Sequence, residues 1–71
     1  MMKNAGAQPA ALTPGDIRAA LARLRFPLYK LAARIDVHPA RLSPMIHERA
    51  PLPASIAERI ARVLAEQEAT S

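Results

Sequence analysis

Leu28 to His47 reads LYKLAARIDVHPARLSPMIH, and this stretch decides which fold the chain can take. It divides at Asp36. Before that residue, Leu31, Ala32 and Ile35 share one side of a short helix, predicted from about Pro27 to Arg34. After it, Leu42, Met45 and Ile46 recur at i, i+3, i+4 and predict another helix over 39–47. Pro39 takes the first position of that helix and His38 the cap. The residues between, Ile35-Asp36-Val37-His38, form a tight turn. Asp36 tolerates the left-handed backbone there, where glycine would be ideal. Two helices that cross at a sharp angle need a small residue where they touch, and Ala32 supplies one. Leu31, Ile35, Val37, Leu42 and Met45 then close inward, leaving the second helix projecting outward.

Outward from this pair, the upstream sequence predicts a helix starting at Thr13. The Thr13 hydroxyl can accept from free amides of the first turn, Pro14 has no amide to leave unpaired, and Asp16 suits the positive end of the helix dipole. Ile17, Leu21 and Leu24 give it one apolar face, with Arg18, Arg23 and Arg25 pointing away. Pro27 breaks this helix and starts the next, and Phe26 closes the core at the junction. Downstream, Glu48 to Pro53 is a rigid loop with two prolines. A fourth helix begins near Pro53 or Ala54, or at Ser55 through its capping-box spacing to Glu58, and continues to about Gln67. Ile56, Ile60, Val63 and Leu64 form its stripe, and Glu58 can pair with Arg62. Residues 1–11 (MMKNAGAQPAA) read as a disordered tail, 12–68 as one domain and 69–71 as a short C-terminal tail.

Composition agrees with an all-α reading. Seventy-one residues hold one modest core, and a chain this small without cysteine relies on tight helix packing or self-association. Tyr29 and Phe26 are the only aromatic residues, which disfavours a β-sandwich. The net charge of +4 is unevenly spread. Residues 1–50 carry eight Lys/Arg against three Asp/Glu, whereas residues 51–71 carry two against three. A basic front with a slightly acidic tail fits a polyanion-binding face, and equally an arginine-rich surface with no such partner. No run of apolar residues is long enough to span a membrane and no secretory h-region is evident, so a cytoplasmic location is expected.

The order of these features resembles the helix-turn-helix of the phage Cro/repressor-type regulators, over roughly residues 13–66. Ala32 matches the alanine position of the first motif helix and Val37 the apolar position after the turn. His38-Pro39-Ala40-Arg41-Leu42-Ser43 looks like the start of a recognition helix, and Leu52 to Ala61 is similar to the family's loop and final helix. Two departures stand out. Asp36 replaces the turn glycine, and Pro39, Ala40 and Pro44 stand where base-reading amides or arginines are usual. Pro44 also lacks a backbone donor and is expected to kink or tighten the helix.

The resemblance implies a lambda-repressor-like bundle of four, or five, short helices. It also implies a sequence-specific double-stranded DNA-binding regulator, a repressor or autoregulator encoded by a phage or mobile element. Such a protein acts as a homodimer on a palindromic operator, with residues 39–47 in the major groove. On that basis Arg41 is the first choice for base readout and Ser43 for a base or phosphate. Ala40 or Pro44 would meet a thymine methyl, and Pro39 and His47 lie on or beside the same face. Tyr29, Lys30, His38 and Arg49 are candidates for phosphate contacts, and Lys3 for the minor groove. Ile56, Ile60 and Val63 are core and, in addition, a candidate dimer seam.

Catalysis and cofactors find no support. His38 and His47 have no cysteine partner and no zinc-protease spacing, and two glycines cannot build a phosphate-cradling loop. Ser43, His47 and Glu48 are neighbours in sequence, but a short exposed helix provides no oxyanion hole. Two alternatives to a simple regulator stay open: an antitoxin that binds a toxin protein and represses its own operon, and a protein-interaction module that keeps the fold.

Overall fold

The computed structural model describes residues 12–70, which form four helices in the order α1 (Pro14–Leu24), α2 (Leu28–Ile35), α3 (Pro39–Ile46) and α4 (Ala54–Thr70). The tail expected over 1–11, with Lys3, lies outside the described residues. No helix among the described residues is long and apolar enough to cross a membrane.

The start of α1 follows its sequence signal. Asp16 N–H donates to Thr13 Oγ1 at 3.1 Å, and Thr13 N–H donates back to Asp16 Oδ2 at 3.2 Å, a reciprocal capping box. The helix ends at Leu24, earlier than Pro27 requires, because Arg25 turns left-handed at φ 53°. Phe26 N–H then donates to Leu21 O at 2.9 Å. Pro27 is extended and stands as the cap of α2, outside the helix it was expected to begin.

The same ending recurs twice. Asp36 (φ 61°) follows α2, with Val37 N–H donating to Ala32 O, and Glu48 (φ 63°) follows α3, with Arg49 N–H donating to Pro44 O. Each pairs a left-handed residue with a bond reaching back five positions, which satisfies carbonyls that a helix end leaves open. Glycine is the usual left-handed residue, and here all three positions carry charged side chains. Phe26 and Val37, the residues that follow, pack against the core and hold the turns in place.

Helices α1 and α2 each pack against both α3 and α4. Ile17, Leu31, Leu42, Ile46 and Ile60 are fully buried where they meet, one or two from each helix. Ala32 is also completely buried, as a close helix contact requires. α3 runs through Pro44 to Ile46 as one helix, and His47, expected as its last residue, stands just beyond it.

α4 departs from its expected bounds. It begins at Ala54, with Ala57 N–H donating to Pro53 O, so Ser55 lies inside the helix and is not its cap. It also continues to Thr70, so residues 69 and 70 are helical where a tail was expected. Along this extension Glu66 pairs with Arg34 of α2, and Glu68 pairs with Arg23 of α1 at 2.6 Å. Glu58 and Arg62 form no ion pair with each other among the described residues.

Candidate nucleic-acid interface

The α2–turn–α3 unit is held by three local devices and two arginines from elsewhere. His38 caps α3, its Nδ1 accepting from Ala40 N–H at 3.0 Å. Asp36 turns the chain, and Val37 seats the turn on the core. Arg59 of α4 donates through Nη1 to Ile35 O, the last carbonyl of α2, at 3.1 Å. Arg18 of α1 donates through Nη1 to Ile46 O, the last carbonyl of α3, at 2.6 Å. A cation on the final carbonyl satisfies an orphan acceptor and meets the negative end of the helix dipole. Both helices of the unit are therefore fixed at their C-terminal ends by the flanking helices. Arg18 read as a plain exposed charge in the sequence. Its role shows only when residues twenty-eight apart are brought together, and no local spacing signals it.

Leu42, Met45 and Ile46 are buried, so the opposite side of α3 faces solvent. Pro39, Ala40, Arg41 and His47 are exposed, and Ser43 and Pro44 are half-buried. Tyr29 is the one large apolar side chain left open among the described residues, 54% exposed. It lines a shallow depression together with His38 and Pro39 at the start of α3. Lys30 goes elsewhere, lining a depression with Arg25 and Phe26 at the α1–α2 junction. Arg49 follows α3 and borders the groove formed by the first residues of α1 and the loop after α3.

The tertiary structure divides the basic residues into two sets. Arg18, Arg23 and Arg34 pair with Glu48, Glu68 and Glu66, and Arg59 is engaged with Ile35 O. Arg25, Lys30, Arg41, Arg49 and Arg62 have no side-chain hydrogen bond or ion pair among the described residues. The basic front of the sequence is thus partly structural, and Arg41, Arg49 and Lys30 are what it leaves free around α2 and α3.

The Glu48 carboxylate lies 3.4 Å from Arg18, and no side-chain hydrogen bond joins Ser43, His47 and Glu48 among the described residues. Among the described residues no cluster of three or more His, Cys, Asp or Glu side chains could hold a metal ion. The candidate dimer seam is largely internal: Ile60 has no exposed surface and Val63 only 7%, because both face α1 and α2 in the core. Ile56 is half-buried and packs against the same cluster. Compared with protein-family models, with curated protein sequences and with solved structures, the chain matches none.

Proposed function

We propose that this protein is a sequence-specific double-stranded DNA-binding regulator whose α2–turn–α3 unit is a helix-turn-helix, with α3 as the recognition helix in the major groove. The observation that supports this most is the presentation of α3. One side is locked to the core through Leu42, Met45 and Ile46, while the other is open and bordered by cations that have no side-chain partner among the described residues. A rigid, solvent-facing helix with free guanidinium groups beside it suits the width and charge of a B-DNA major groove. Arg41 is assigned to a base edge or phosphate, and Tyr29, His38 and Arg49 to phosphates that set the register. Such a protein acts without catalysis, as a dimer on a palindromic operator, blocking transcription by occupancy.

The test is binding of the purified protein to duplex DNA from its own promoter region, against random duplex competitor near physiological salt. A preference of about a thousandfold or more supports a specific regulator. Equal weak binding to both duplexes, or none, overturns it.

A second reading, a protein-interaction module, draws on one observation. Pro39, Ala40 and Pro44 give the open side of α3 few hydrogen-bonding groups. The dependence of binding on salt separates the two, since only the DNA reading requires counterion release.

A further inference from the structure

With Leu42, Met45 and Ile46 turned inward, helical spacing sets Ala40, Pro44 and His47 in one row along the opposite side of α3. Arg41 flanks this row on one side and Ser43 on the other. The first two members of the row are the exposed Ala40 methyl and, one turn on, the half-buried Pro44 ring, with no side-chain donor or acceptor. The cap is committed as well: His38 Nδ1 accepts from Ala40 N–H, so that nitrogen carries no proton and only Nε2 is free to meet a ligand. Hydrogen-bonding capacity on the open side of α3 is therefore displaced to its flank, at Arg41 and Ser43, and to its end, at His47.

Resting on the DNA-binding reading above, we infer that α3 selects thymines by apolar contact, with Ala40 and Pro44 packing against their C5-methyl groups. The major-groove edges of guanine, cytosine and adenine present hydrogen-bonding atoms, and the thymine methyl is the apolar feature among them. An Ala40–Pro44 ridge pressed on guanine O6 and N7, or on adenine N6 and N7, would strip water from those atoms and return no hydrogen bond. Against a thymine methyl the same ridge removes apolar surface from water on both partners. The short Ala40 side chain allows the helix backbone close to the groove floor. Readout by hydrogen bonds is confined to Arg41, Ser43 and His47, so the recognised half-site centres on thymines.

The experiment selects tight-binding duplexes from a randomised library with the full-length chain. The enriched duplexes are then remade with deoxyuridine replacing thymidine at one position at a time, which removes only the methyl. Thymines are expected at fixed positions, and uracil at the contacted ones should weaken binding about fourfold each, the worth of one buried methyl. Ala40→Ser and Pro44→Ala, checked for helical signal and melting temperature, should each lower the thymine-to-uracil affinity ratio toward one. The ratio is read within each folded variant, so a general loss of stability does not imitate the effect. Enriched duplexes that bind equally with uracil, or variants that keep the full ratio, overturn the inference while leaving DNA binding intact. If no duplex is enriched, the DNA-binding reading falls and the inference falls with it.

Discussion

Among the described residues three positions take a left-handed backbone without glycine, and Asp36 is the one on which the most depends. It sits between the two helices that form the candidate interface, at φ 61° with an exposed side chain. Glycine meets no Cβ penalty in this conformation, so Asp36→Gly is expected to raise stability by about 0.5–1 kcal/mol, measured as a rise in urea midpoint at constant m-value. A lower midpoint would mean that the aspartate contributes something the turn geometry does not reveal. Leu42 is a different case, fully buried on the inner side of α3. Leu42→Ala removes that packing and leaves a cavity, and should cost about 2–5 kcal/mol by chemical denaturation. Arg41, one residue earlier, is exposed and has no side-chain partner among the described residues. Arg41→Ala should leave the melting temperature in place and weaken specific duplex binding by about 1–3 kcal/mol in a titration. Adjacent residues thus separate stability from recognition.

Elements in this fold are short, and α2 and α3, at eight residues each, are too short to persist alone. Their rigidity is imposed by neighbours. Arg18 fastens α3 to α1 through a 2.6 Å bond to the last carbonyl of α3, while its contact with exposed Glu48 adds little. Arg18→Met keeps the aliphatic stem and removes the donor, and is expected to lower stability by about 1–2 kcal/mol. Amide exchange should show where that loss falls. Amides near the end of α3, His47 and Arg49 among them, should lose protection more than those of α4. Uniform loss across the chain would show that Arg18 supports the whole core instead of the end of one helix.

For the molecule as a whole, the distribution of cations matters more than their number. Half of the acidic residues, Glu48, Glu66 and Glu68, pair with arginines of α1 and α2, and Lys30, Arg41 and Arg49 have no such pair among the described residues. If Arg41 and Arg49 each neutralise a phosphate, log K against log salt should fall with a slope of about −0.9 per contact, or about −2 per copy of the chain. A slope near zero with retained affinity would favour the protein-interaction reading. The dimer expected of such a regulator must use surface other than Ile60 and Val63, since the core of each copy already occupies them.

Local chemistry was enough to predict four helices, the Thr13 cap, the His38 cap, the left-handed turn at Asp36 and the inward set Leu42, Met45 and Ile46. Each depends on a side chain and its neighbours within about one helical turn, so spacing alone discloses it. Helix ends were less legible. Arg25 and Glu48 adopt the conformation glycine would signal, held there by packing of the residues around them, and α4 outruns its apolar stripe into turns whose Glu66 and Glu68 meet Arg34 and Arg23 of other helices. The exposed residues of the candidate interface followed from helical phase, but which cations are free did not. Arg18, Arg23, Arg34 and Arg59 find their partners between 24 and 45 residues away, and only the packing of α1 and α2 against α3 and α4 brings such distant groups within reach.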